Sequence, residues 1–279
     1  MEEWRPFLWI ANASVLEAAA VLLALLILSF GLGYFLRTKS FGSAKATSAE
    51  QGQEGLIVSA VMAVVGLLIG FTFSLSVQRF EERRMLVVTE ANAIGTAYLR
   101  AQLLDEPDRT RLSNLLVAYT DNRIVLAGAQ GDRKELVERN DRLLAQIWAA
   151  VSAASKTQRG QAISTPLLFA FNDLIDHDTL RKTARTTQIP GLVMAMLYVF
   201  LIATAAIVGF VLSGHRQRMI AIIMLLLLTF AIGIIVDLNS PTSGSIRESQ
   251  QPMLLAKQLL SQPRFDFEQY NKSASSADH

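Results

Sequence analysis

Asp173, Asp176, His177 and Asp178 bring together residue types that bind metals or exchange protons. A hydrolytic centre needs more: further ligands, or a nucleophile held beside a base. The chain has three histidines, at 177, 215 and 279, and no cysteine, so disulfides, thiolate metal sites and cysteine nucleophiles are excluded. Asp178 stands three residues before Arg181 and four before Lys182, the spacing of ordinary ion pairs along a helix surface. The expectation is therefore a solvated helix face. Phosphate-cradling glycine loops, zinc motifs and Ser/His/Asp constellations are missing from the sequence. No catalytic residue, cofactor or metal site is expected, and the chain is not read as an enzyme.

A second charged grouping, Gln78-Arg79-Phe80-Glu81-Glu82-Arg83-Arg84, follows directly on an apolar run. Basic residues flank membrane spans for topological reasons and reach headgroups along their aliphatic stems. The same residues, Arg79, Glu82, Arg83 and Arg84, could instead ring a vestibule and tune ion selectivity. The apolar run itself carries Ser59, Ala63, Gly66, Gly70 and Ser74 at three- and four-residue spacing. Gly66 and Gly70 form a GxxxG, which lets a second helix approach closely in lipid. A sharper alternative places Ala63, Leu67, Phe71, Ser74 and Gln78 along one face of a pore helix. Apolar rings there would gate by dewetting, with Ser74 and Gln78 at the polar mouth.

The elements that must position these residues are membrane spans. The 279 residues are 51% hydrophobic and 18% charged, against about 25% charged in soluble domains, and mean hydropathy is +0.33. Four apolar runs, 15–36, 56–77, 191–212 and 219–236, each have the length a bilayer core requires. None carries a charge in its interior; Glu17 lies in the first turn of its run. The first run exceeds a signal-peptide core and is followed by Arg37 and Lys39, so it is read as a retained span. A net charge of +2 without a basic face excludes a nucleic-acid binder.

The expected organisation is all-α, with four transmembrane helices as two hairpins around a helical extramembrane domain. Residues 1–77 form the first hairpin, 78–188 the middle domain, 189–237 the second hairpin and 238–279 a tail. Leu86, Ala93, Ala97, Leu103 and Leu104 recur at helical spacing, so the second span continues out of the bilayer to about Leu104. Asp105 and Pro107 predict the cap and first turn of a helix ending at Gly128 and Gly131. Asp132 and Glu135 open another to Thr157, and Thr165-Pro166 a third bearing Leu167, Leu168, Phe171, Leu174 and Ile175. With the middle domain and both termini cytoplasmic, the inside holds Arg5, Arg79, Arg83, Arg84, Arg181, Lys182, Arg185, Arg247 and Lys257. The outside then holds Arg37, Lys39, Lys45, Arg216 and Arg218, the smaller set, as the positive-inside rule requires. The short last hairpin, with two arginines and no acid, points the other way.

Gly70-Phe71, Ser74, Arg79-Phe80, Glu82 and Arg83 resemble the second-helix motif of bestrophins, pentameric ion channels in which that helix lines the pore neck. The order of elements is similar, and so is the Asp237-Leu-Asn-Ser-Pro241-Thr-Ser-Gly244 segment after the fourth span. Glu90–Arg100 and Ser243–Pro252 look like recurring segments of bacterial bestrophin-like membrane proteins of unassigned function. The resemblance implies a homo-oligomeric, possibly pentameric, ion channel in a bacterial inner membrane, with the bilayer, inorganic ions and further copies of itself as partners. Two features depart from it. Phe80-Glu81 stands where a double tryptophan is usual, and Asp237 is followed by Asn239 and Ser240 in place of an acidic calcium-binding cluster. The alternative reading is a non-conducting scaffold or sensor whose middle domain binds a protein.

Overall fold

In lipid each backbone N–H and C=O must be bonded within the chain, so apolar runs of span length have to be helical. The computed structural model describes residues 15–41, 48–129, 132–157, 162–212, 214–241 and 244–261. Among these there is no strand, and eight helices follow in order. They are α1 (Val15–Phe41), α2 (Ser48–Ala101), α3 (Asp108–Gly128), α4 (Lys134–Thr157), α5 (Ser164–Thr186), α6 (Gly191–Val211), α7 (His215–Asn239) and α8 (Gln251–Ser261). α1, α2, α6 and α7 carry four stretches long and apolar enough to cross a membrane, so this is a multi-pass membrane protein. The described residues divide into two units: those up to Glu82 with Ala184–Arg247, and Arg83–Thr183 with Glu248 onward.

The first unit is a bundle of α1, the leading part of α2, α6 and α7. Its core joins Leu22, Leu26 and Phe30 of α1 to Val65 of α2, Leu197, Leu201 and Val208 of α6, and Leu225, Ile232 and Ile235 of α7. α1 packs against both α6 and α7. Its crossing with α6 is a backbone-to-backbone contact. A Cβ added at Gly33 would lie 2.0 Å from the Ala206 carbonyl oxygen, and one at Gly209 2.1 Å from that of Phe30. Ser29 Oγ donates to the Ile202 carbonyl at 2.7 Å across the same seam. Arg37 Nη1 reaches the Phe210 carbonyl at 2.9 Å and that of Val211, closing orphan acceptors at the end of α6. Glycine at this seam is required by space. Gly33→Val is expected to abolish the monodisperse folded species in detergent, a loss above about 4 kcal/mol. Gly31→Val is the matched control, since open space surrounds that position. Equal size-exclusion profiles for the two variants would contradict the close crossing.

The second unit packs the trailing part of α2 with α3, α4, α5 and α8. Val87, Ala91, Ile94, Ala97, Tyr98 and Ala101 line one side of α2, at helical spacing. They meet Leu112, Leu116 and Tyr119 of α3, Leu143, Ile147 and Val151 of α4, and Leu167, Phe171 and Leu174 of α5. The extension of the second span is as expected, ending at Ala101, with Leu104 N–H bonded back to the Ala101 carbonyl in a turn. Leu103, expected on the apolar face, is exposed. Asp105 was the expected cap of α3; Pro107 occupies that position, and the Glu106 carboxylate accepts the Thr110 amide at 3.3 Å. Asp132, the expected opening residue of α4, accepts the Lys134 amide at 2.9 Å, and the Arg133 carbonyl takes the Val137 amide as the helix begins. α8 is a helix the sequence reading left within the tail, held by buried Met253, Ala256 and Leu260. Arg5, Lys45, Gly131, Ser243 and the polar tail after Gln269 lie outside the described residues.

Candidate functional site

Two sides of α2 have different fates in the first unit. One side is buried: Val65 packs in the core, Thr72 Oγ1 bonds the Leu68 carbonyl, and Ser76 Oγ donates to the Ile235 carbonyl of α7 at 3.3 Å. The other carries Ala63, Leu67, Phe71, Ser74 and Gln78, all exposed, with Leu67 and Phe71 at 59% and 62%. These positions recur every three or four residues and so form one longitudinal stripe. In the most apolar stretch of α2 only 11% of residues are buried within the chain, against 17% in α1 and 28% in the other two candidate spans. The surface of α2 is thus the part of the bundle that the chain itself covers least. Gly66 and Gly70 are exposed, and a Cβ at either would meet nothing within 4 Å. Close approach within the chain is made instead by Gly33 and Gly209.

At the end of this stripe Gln78 Nε2 donates to Glu82 Oε1 at 3.0 Å, and Arg79 pairs with Glu82 Oε2 at 2.9 Å. Both partners are substantially exposed, so the pair is worth little to stability. Arg84 is exposed too. Arg83 is different. Its guanidinium is 4% exposed and meets Glu248 Oε1 at 2.7 Å inside the second unit. Of the four charged candidates, Arg79, Glu82 and Arg84 remain open to solvent or headgroups, and Arg83 is committed to the protein interior.

The acid–histidine grouping splits apart. Asp173 and Asp176 are exposed, as expected, with His177 Nε2 3.5 Å from Asp173. Asp178 and Arg181, expected on a solvated face, are buried, and they belong to an ion network centred on Glu90. Arg123 grips Glu90 with two bonds, Nε to Oε1 at 2.7 Å and Nη2 to Oε2 at 2.9 Å. Arg181 Nη1 binds Oε2 at 2.5 Å, and Tyr119 donates its hydroxyl to Oε1 at 2.6 Å. Asp178 takes Asn140 Nδ2 at 2.9 Å, Arg123 Nη1 at 3.3 Å and Lys182 Nζ at 2.6 Å; Lys182 also reaches Asp141 at 2.6 Å. The Asp178–Lys182 spacing read from the sequence is realised, but Arg181 turns to Glu90. Burial alone would raise Glu90, yet the guanidiniums of Arg123 and Arg181 outweigh it and hold the carboxyl below its ordinary range. Burial beside Glu90 pushes the Tyr119 phenol well up, so it stays a donor. Each cation faces a carboxylate, and among the described residues no cluster of three or more metal-ligating side chains occurs. The chemistry is structural ion pairing.

In the last turn of α7, Asp237 is buried and both its oxygens are occupied. Oδ1 accepts the Ser245 amide at 2.6 Å and Oδ2 that of Ile246 at 3.0 Å. Gly244 lies close beneath, where a Cβ would fall 2.7 Å from the Asp237 carbonyl oxygen. Asn239 Oδ1 accepts the Ile189 amide at 2.9 Å, ahead of α6. The carboxylate at the start of the acidic–proline–glycine segment is therefore spent on backbone amides.

This fold has close likenesses. Two single-substitution variants of a bacterial bestrophin homologue from Klebsiella pneumoniae superpose with TM-scores of 0.64 and 0.60, at 17% and 16% identity. The matches cover 89% and 86% of this chain and 97% and 96% of theirs. A crystal structure described as a membrane protein gives 0.61 at 15% identity, covering 88% of this chain and 97% of that one. Such low identities speak for the fold alone. Among curated proteins none matches. A family profile described as Bestrophin-like domain matches residues 14–253, nearly the whole described chain. With that span of agreement, in sequence and in fold, the chain belongs to the Bestrophin-like domain family.

Proposed function

We propose that the protein is a homo-oligomeric ion channel of the bestrophin type, with α2 lining the pore. The observation that carries this reading is the uncovered stripe Ala63, Leu67, Phe71, Ser74 and Gln78 on the least covered span of the bundle. Copies arranged about an axis would stack Leu67 and Phe71 as apolar rings, and such a neck conducts or dries according to its width. Ser74 and Gln78, followed by the Arg79–Glu82 pair, supply a polar exit. Gly66 and Gly70, open on the single chain, leave room for a neighbouring copy. Five copies, a bacterial inner-membrane location and the lack of enzymatic activity are part of this proposal, and follow from the resemblance of the second-helix motif to that of bestrophins, within a chain of the Bestrophin-like domain family. The larger set of basic residues supports a cytoplasmic middle domain, residues 78–188, with both termini on the same side.

The occupied carboxylate of Asp237 argues against a calcium site at the turn after α7, so no divalent cation is assigned to gating. Native mass in nanodiscs tests the assembly. Five copies are expected, and a monomer or dimer that persists across mild detergents and nanodiscs would overturn the pore.

A further inference from the structure

The chain passes between its two units three times, at Glu82–Arg83, Thr183–Ala184 and Arg247–Glu248. Immediately inside the second unit, each of the three passing segments presents a charged side chain that is buried or nearly so. Arg83 on α2 pairs with Glu248 on the segment after α7, at 2.7 Å. Arg181 on α5 pairs with Glu90 of α2 and also donates from Nη2 to Gln250 Oε1 at 3.1 Å. Every pair of segments is thus joined: the first to the third through Arg83–Glu248, the second to the first through Arg181–Glu90, the second to the third through Arg181–Gln250. Arg83, Arg181 and Glu90 are at most 4% exposed, and Glu248 is 9% exposed. Pairs this dry hold one geometry, because releasing either partner leaves a charge without water.

From this closed set of bonds we infer that the three passing segments form a collar that moves as one body. A shift of α2 at Arg83 is shared by the end of α5 and by the start of α8. The collar is a coupling device: it ties the helix assigned to the pore to the other two segments at which the chain passes between the units. Its functional consequence rests on the reading of α2 as the pore helix; its mechanical consequence does not.

Hydrogen–deuterium exchange on the purified full chain tests the mechanical half. Glu248→Gln removes one charge at the third segment, and the exchange of α5 residues 176–186 is read along with that of α8. Both are expected to speed up, by about tenfold, although α5 lies far from the substitution in sequence. Gln250→Ala, which deletes a single neutral partner, is the milder second variant, expected to loosen the same two stretches by about threefold. Acceleration confined to residues 248–261 in both variants would overturn the collar. Ion flux from proteoliposomes tests the functional half, with Glu248→Gln expected to change it about fivefold relative to the native chain. Coupled exchange with native-like flux would overturn the functional half and keep the collar. Absence of flux from the native chain itself would sink the channel reading, and the exchange result would still decide the collar.

Discussion

Glu90→Gln lowers the melting temperature of the purified protein by about 10 °C or more, equivalent to about 3–5 kcal/mol. The substitution keeps size and removes only charge, so it isolates the electrostatic role. Glu90 takes four hydrogen bonds, from Arg123 (two), Arg181 and Tyr119, at a site with no solvent exposure. Without its charge, two buried guanidiniums lose their shared carboxylate; Arg123 keeps Asp178 at 3.3 Å, and Arg181 keeps the neutral Gln250 at 3.1 Å. Glu138→Gln is the comparison, because its pair with Arg142 is 3.9 Å long and exposed on both sides. That change moves the melting temperature by about 1 °C or less. The pH dependence has a definite sign. Glu90 is held below the unfolded carboxyl value, so its contribution is complete above about pH 4.3 and is lost as pH falls through the folded value. The native protein therefore loses stability on acidification more steeply than Glu90→Gln. Equal melting curves for Glu90→Gln and Glu138→Gln would show that the network stabilises nothing.

Leu67→Ala with Phe71→Ala raises ion flux in proteoliposomes by about tenfold, the change that follows from removing about 1.4 kcal/mol of barrier. Both side chains are exposed on α2, so truncating them opens space without disturbing the intramolecular core. In a narrow apolar ring the barrier is the cost of wetting it, and alanine widens and weakens that ring. Phe73→Ala is the control. Phe73 is also exposed, but two residues along a helix turn it about 200° away from the Phe71 side. It leaves flux unchanged. If all three substitutions act alike, or none acts, the stripe is not the pore lining.

The spans were legible because hydrocarbon leaves the sequence few choices. Apolar runs ending at charges or prolines gave the limits of α6 within a residue and located α1, α2 and α7. Helix punctuation served the second unit almost as well: Asp132 accepts the Lys134 amide where α4 begins, and Gly128 ends α3. Partners far apart in sequence were not legible. Asp178, Arg181 and Lys182 have the spacing of a solvated helix face, and nothing local reveals that Arg181 meets a carboxylate on α2. One signal was available. Glu90 falls on the same helical stripe as Val87, Ile94 and Ala97, and a charge in an apolar stripe requires a buried partner. The glycines taught a similar lesson. Gly66 and Gly70 display the familiar spacing yet face open space in the chain, whereas Gly33 and Gly209, each without a partner glycine at that spacing, make the backbone crossing. α8 was hidden by its length and by the polar residues around it.

Ion flux through the native protein in proteoliposomes is the measurement closest to the central claim. The account predicts flux above that of protein-free vesicles, rising further when Leu67 and Phe71 are both alanine. Vesicles holding folded, oligomeric protein that pass neither anions nor cations, with or without those substitutions, would contradict it.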